Sequence, residues 1–163
     1  MFIIVMGVSG SGKTAVGQLL ARRLGCAFYD GDDFHPQSNK EKMEQGIPLT
    51  DEDRAGWLQA LAHLIQDNLD HQQAGVLACS ALKESYRRIL RVDQVQVNFI
   101  YLKGSYDLIL ERMGKRRHHY MAPGMLKSQF GVLEEPKDAW IMDIHQPPEV
   151  IVERILHELQ PRN

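Results

Sequence analysis

Eight residues near the start of the chain carry its densest chemical signal. Gly7-Val8-Ser9-Gly10-Ser11-Gly12-Lys13-Thr14 fits the spacing G-x-x-x-x-G-K-[ST]. In that pattern successive backbone N–H groups, here those of Gly10, Ser11, Gly12 and Lys13, line a concave anion nest. Glycine lets the backbone wrap phosphate oxygens with no Cβ in the way. The positive end of the following helix adds to the attraction. Lys13 then reaches the β- and γ-phosphates of a nucleoside triphosphate, and the Thr14 hydroxyl ligates Mg²⁺. The loop follows an apolar run and opens a helical pattern, the context the motif requires. A nucleoside triphosphate with Mg²⁺ is the expected ligand, contacted by Gly7, Gly10, Ser11, Gly12, Lys13 and Thr14.

Phosphate loops serve small-molecule kinases, switch GTPases and ATP-driven machines alike. The guanine signature Asn-Lys-x-Asp is missing, since Asn39-Lys40-Glu41-Lys42 ends on the wrong residue, and 163 residues are few for a motor. A small kinase is favoured, and a kinase needs an acceptor site. Asp30, Asp32 and Asp33 close the second strand-like run. Asp30 and Asp32 are two apart and share a side in extended chain. One can help hold Mg²⁺ through water while the other bonds the acceptor hydroxyl and takes its proton. His35 is either a ligand for a polar substrate or a structural loop histidine. Arg54 lies in a first helical turn, where a cation opposes the dipole. It either holds a substrate anion or pairs with Asp51 or Glu52. Lys83, at the end of Ser80-Ala81-Leu82-Lys83, either contacts a substrate carboxylate or hydroxyl or stands in solvent.

Arg112, Lys115, Arg116, Arg117, His118 and His119 form the densest positive run. It falls in an irregular stretch, about residues 115–124, that could close over a triphosphate as a lid and deliver an arginine to the transferring group. RNA binding is the other reading, and the acidic balance of the chain weakens it. Gln146-Pro147-Pro148 either walls a flat base-binding slot or starts the last helix.

The elements that must position these groups follow from periodicity. Strands are expected at Phe2–Met6, Ala27–Tyr29, Gly75–Cys79, Val95–Leu102 and Ala139–Ile144, each a short apolar run. Helices are expected at 14–24, 38–45, from Asp51 behind an N-capping Thr50, and at 84–91, 106–114, 125–133 and 148–159. This alternation predicts an α/β fold, a five-stranded parallel sheet with helices on both faces. Ligands of such sheets bind at the carboxyl edge of the strands, where the phosphate loop, Asp30, Asp32 and Ser80 all fall.

Composition sets outer limits. Hydrophobic residues make up 44% and charged residues 25%, ordinary for a globular domain. With 19 basic and 21 acidic side chains the net charge is -2, which argues against a general nucleic-acid binder. Cys26 and Cys79 give neither a disulfide framework nor metal spacing, and both are expected as buried thiols in a reducing compartment. No apolar run reaches the ~18 residues of a membrane span, and the chain enters its first strand without a leader. The expectation is one cytoplasmic domain over residues 1–163 with no membrane or nucleic-acid partner.

Longer stretches are similar to the gluconokinase family of the adenylate- and shikimate-kinase-like group. They are MGVSGSGKT (6–14), YDGDDFHPQSNKEKMEQGIPLTDEDRAGWL (29–58), ACSALKESYR (78–87), FIYLKGSYDLILERM (99–113), MLKSQF (125–130) and DIHQPPE (143–149). The resemblance implies a nucleoside-monophosphate-kinase-like fold with a small mobile lid. It implies phosphorylation of the 6-hydroxyl of D-gluconate by ATP. Asp32 then matches the residue on the acceptor hydroxyl, with Thr14 and Asp30 on the metal side. His35, Arg54, Ser80 and Lys83 fall where gluconate should be held, Arg54 suiting its carboxylate. Arg116 matches a lid arginine on the phosphates, and Arg112 and Pro147 sandwich adenine. A homodimer is implied as well. The lid departs from the family's Arg-Lys-Gly-His-aromatic-aromatic pattern, reading Arg116-Arg117-His118-His119-Tyr120-Met121 here, and the lost glycine is expected to stiffen its closure.

Overall fold

The computed structural model describes residues 1–115 and 123–160. Strand β1 (Phe2–Met6) is wholly buried, as its run of apolar residues with no polar alternation requires. It lies at the centre of a five-stranded parallel sheet ordered β2-β3-β1-β4-β5. Strands β2 (Ala27–Asp30) and β3 (Gly75–Ala78) lie on one side of it, β4 (Val97–Lys103) and β5 (Trp140–Asp143) on the other. Register runs through Val5, which pairs with Ala78 of β3 and Ile100 of β4.

The period of two along β1 sorts the core into two layers. Ile3 and Val5 face Val16 and Leu20 of α1 (Lys13–Leu24), Ile109 of α5 (Tyr106–Gly114), Leu126 of α6 (Pro123–Val132) and Val152 and Ile155 of α7 (Pro148–Leu159). Phe2, Ile4 and Met6 face Trp57, Leu58, Leu61 and Ile65 of α3 (Asp51–Asp70), and Tyr86 and Leu90 of α4 (Glu84–Leu90). Full burial of each such side chain is worth roughly 1.5–3 kcal/mol, so the sheet centre is the least deformable part of the molecule. The chain changes direction across the sheet at β1, and the crevice at that switch point opens at the carboxyl ends of the strands.

Helix α3 starts where the sequence places it. Thr50 Oγ1 accepts from the Asp53 N–H (3.1 Å), and the Asp53 carboxylate accepts from the Thr50 N–H (2.9 Å), a reciprocal capping box. Helix α2 (Gln37–Glu44) is short and polar. Several boundaries and one burial differ from expectation. Strand β4 begins at Val97 rather than Val95, because the Asp93 carboxylate accepts from the Val95 and Gln96 amides (2.8 Å each) and Val95 is left 85% exposed. Strand β2 extends to Asp30 and runs into a 3₁₀ turn, Gly31–Phe34. Helix α6 begins at Pro123, so Pro123 and Gly124 belong to it rather than to an irregular lid. Cys26 is half-buried, unlike Cys79, because it follows the Gly25 cap at the exposed end of β2. No helix among the described residues is long and apolar enough to cross a membrane.

Candidate active site

The phosphate loop leaves β1 at the centre of the sheet edge, its Gly7 N–H donating to the Ser80 carbonyl beyond β3 (3.3 Å). Gly10 takes φ +77°, and a Cβ there would sit 2.8 Å from the Met113 side chain, so both backbone and space demand glycine. Gly12 caps α1 in the left-handed region, and no side chain caps the amides behind it. Those amides are the donors an anion would meet. Lys13 folds over the loop and its Nζ donates to the Val8 carbonyl (2.9 Å). Burial holds its ammonium below the usual lysine range, against the pull of Asp32 and Asp30. Thr14 is exposed in the first turn of α1. Ser11 Oγ is sealed in the loop with no hydrogen-bond partner among the described residues. Gln129 of α6 braces the loop from outside, its Oε1 accepting from the Ser9 N–H (2.7 Å) and its Nε2 donating to Ser9 Oγ (3.1 Å).

The acidic turn lies at the same edge. Asp30 Oδ1 accepts from the Asp32 N–H (3.0 Å), which caps the 3₁₀ turn and leaves Asp32 exposed beside it. The turn is fixed from behind: Trp57 Nε1 donates to the Gly31 carbonyl (2.7 Å). Gly31 packs so closely that a Cβ would come 2.8 Å from the Ala78 carbonyl. Burial raises the Asp30 carboxyl above the usual carboxylate range, reinforced by Asp32 and Asp33 and opposed by the Asp32 amide and Lys13. Cys79 is buried within electrostatic reach of Lys13, Asp32 and Asp30, and burial pushes its thiol up to about 12. It is inert packing rather than a nucleophile.

His35 is buried and stacks on Trp57 with ring centroids 4.1 Å apart. Its Nδ1 meets Asn39 Nδ2 at 3.2 Å. Burial, helped by Arg54 and Lys40, lowers its pKa to about 4, so the ring is neutral at physiological pH. Arg54 pairs with neither Asp51 nor Glu52. Its Nη1 donates to the Leu49 carbonyl (2.7 Å) and to the Tyr86 hydroxyl (3.2 Å), and the guanidinium lies 5.4 Å from the Tyr86 ring centroid. No carboxylate ion-pairs with it among the described residues. Lys83 is not free in solvent: its Nζ reaches both oxygens of Asp51 (2.9 and 3.1 Å), and the Tyr86 hydroxyl donates to the same carboxylate. Lys83 and Tyr86 together hold that carboxylate below its usual range.

The loop bearing Ser80 and Lys83 is anchored by Arg87, only 1% exposed. Its guanidinium donates to the carbonyls of Ala81 (2.8 Å), Leu82 (3.1 Å) and Glu134 (2.8 Å) and pairs with Glu84 at 3.1 Å. At the other end of the edge, the Arg112 guanidinium donates to the Ile144 carbonyl, three residues before Pro147, the exposed N-cap of α7. Arg112 is thereby tied to the segment that leads to Pro147. Arg116 lies outside the described residues, with Arg117, His118 and His119.

Sequence reasoning missed Asn39, Asp51, Tyr86, Arg87 and Gln129. All five stand inside the stretches that carried the family resemblance, which was the one signal for them. Trp57 is core, and its indole N–H also holds the acidic turn.

The profile of the family described as shikimate kinase matches residues 9–160. A thermosensitive gluconokinase of Escherichia coli K12 is 48% identical over 134 residues, which cover 82% of this chain and 72% of that protein. A solved sugar kinase from Janibacter sp. HTCC2649 superposes with a TM-score of 0.89 at 42% identity, covering 96% of this chain and 92% of that one. A solved gluconokinase from Sinorhizobium meliloti 1021 superposes with a TM-score of 0.83 at 38% identity, covering 97% of both chains.

Proposed function

The chain belongs to the gluconokinase family, within the wider shikimate kinase family whose profile it matches, and we propose that it transfers the γ-phosphoryl group of ATP to the 6-hydroxyl of D-gluconate. The products are 6-phospho-D-gluconate and ADP. The observation that carries the choice of a sugar acid is Arg54. Among the described residues its guanidinium bonds only a carbonyl and a phenol, so its charge is left for a carboxylate brought by the substrate. Lys83 is already neutralised by Asp51 and serves better as a donor to a hydroxyl, beside Ser80 and His35.

In this reading the phosphate loop grips the triphosphate through the amides of Gly10, Ser11, Gly12 and Lys13, with Gly7 giving room at its start. Lys13 leaves the Val8 carbonyl for the β- and γ-phosphates. Asp32 is exposed and its carboxylate has no ion pair among the described residues, which suits a group that must accept a hydrogen bond from the acceptor hydroxyl. As the oxygen attacks phosphorus, the bond to the β–γ bridging oxygen breaks and ADP carries away that electron pair. The hydroxyl proton passes to Asp32. Arg112 and Pro147 flank the adenine, and Arg116 neutralises charge on the transferring group.

Mg²⁺ fits the oxygen donors available. Thr14 would supply a hydroxyl next to Lys13, Asp30 a carboxylate oxygen through water, and the phosphates the rest, which suits an ion that keeps several waters. Bound there, it would screen charge between the β- and γ-phosphates. Two free thiols fit a reducing cytoplasm. We take the chain as one kinase domain with a lid over the basic segment, assembled as a homodimer. Light scattering should then give twice the chain's 18.6 kDa, and a mass equal to one chain would refute the dimer.

The acceptor is tested by coupled ADP release over a panel of sugar acids and shikimate. Gluconate should raise the rate far above the ATP-only background. An equal or larger response to shikimate would overturn the choice of acceptor.

A further inference from the structure

We propose that Asn39 is a positioning residue that fixes the tautomer of His35, so that this ring meets the substrate as a hydrogen-bond donor only. The inference rests on the proposed acceptor site and deepens it. Asn39 is buried, and its Nδ2 lies 2.7 Å from the Asp53 carbonyl and 3.2 Å from His35 Nδ1. A backbone carbonyl can only accept, so the amide group facing it is the NH₂. One hydrogen goes to Asp53 and the other is directed at His35. A ring nitrogen facing an N–H must offer its lone pair, so Nδ1 is bare and the ring proton sits on Nε2.

The surroundings hold this arrangement in place. The Asp53 carboxylate is fixed by Lys42 (2.8 and 3.0 Å) and the Thr50 capping box, which locks the carbonyl that orients Asn39. Trp57 stacks on the imidazole and bonds the same turn that carries Asp32. The charged groups acting on the ring are Arg54 from α3 and Lys40 from α2, both cations, and both oppose a second proton. Nε2 has no protein partner among the described residues. Nor is it sealed from solvent, since the one sealed unpartnered polar atom among them is Ser11 Oγ. A single N–H is thus left for a ligand oxygen. An oxygen can accept from it, whereas an ammonium in that place is rejected.

The test reads the tautomer directly in the unliganded protein, by long-range ¹H–¹⁵N NMR on histidine-labelled chain, with His35→Gln assigning the signal among the seven histidines. The account predicts a pyridine-like Nδ1 and a protonated Nε2, unchanged from pH 6 to 8. A protonated Nδ1 would overturn it. Asn39→Asp replaces the donor by an acceptor and should move the proton to Nδ1 or charge the ring. The KM for gluconate should then rise at least tenfold and vary with pH, with the KM for ATP unchanged. An unchanged gluconate KM in a folded Asn39→Asp protein would also overturn it. The wild-type spectrum stands apart from the choice of acceptor, so failure of the gluconate reading and failure of the tautomer are distinguishable.

Discussion

Lys13 and Asp32 do different work from neighbouring positions. Lys13 is half-buried and bonded to its own loop, so its charge is held ready where water cannot screen it fully. Asp32 is exposed, and among the described residues its carboxylate holds no structural bond. Lys13→Ala and Asp32→Asn should each lower kcat by about a thousandfold or more while leaving the unfolding midpoint in urea within error. Near-native turnover of Asp32→Asn would remove Asp32 as the proton acceptor. Arg54→Gln keeps a donor for Leu49 but removes the charge. A charged hydrogen bond is worth about 1.5–3 kcal/mol, so KM for gluconate should rise roughly 10- to 100-fold, with KM for ATP unmoved. Initial-rate kinetics with each substrate varied in turn check this split.

At the scale of elements, two buried polar groups hold the acceptor side together. Arg87 ties the exit of β3 to the approach to β5 through three carbonyls. Replacing it by Met takes that donor from the Ala81 and Glu134 carbonyls, while Leu82 keeps the Glu134 N–H, and a stability loss of about 3 kcal/mol or more is expected in denaturant titrations. Gluconate KM should rise as well, since Ser80 and Lys83 ride on that loop. His35 makes the fold sensitive to acid. It titrates at about 4 in the folded chain and near 6.5 when unfolded, so the unfolded chain takes the proton first. Its contribution is complete above pH 6.5 and is lost as pH falls toward 4, by at most about 3 kcal/mol. Asp53 acts in a lower window: Lys42 and the Thr50 amide hold it at about 2 against 3.8, so its contribution is present above 3.8 and lost below. Urea midpoints against pH should show both steps, and His35→Gln should remove only the first.

Across the whole molecule, what the sequence revealed follows a physical division. Local period and local caps are written in consecutive residues, so the five strands and the Thr50 N-cap were legible. The phosphate loop was legible for the same reason: eight adjacent residues carry it. Long-range pairings were not. Gln129 meets Ser9 across 120 positions, and Trp57 meets Gly31 across 26, distances over which no pattern in the chain speaks. Arg54 could be either an anion holder or a partner of Asp51 or Glu52, and the structure gives Asp51 to Lys83 instead. Because the nucleotide site is built on the rigid centre of the sheet, ligand binding couples to global stability. ATP at 100 times its Kd should stabilise the chain by about 2.7 kcal/mol, and Lys13→Ala should abolish most of that gain in thermal scans with added nucleotide.

The central claim is that the nucleotide's terminal phosphoryl group passes to an alcohol of the sugar acid and not to water. ³¹P NMR of the protein with ATP, Mg²⁺ and gluconate follows that transfer in one tube. The account predicts a phosphomonoester signal growing in step with ADP, split by the two protons on carbon 6, and neither signal growing when gluconate is left out. Inorganic phosphate rising at the same rate with or without gluconate would contradict it.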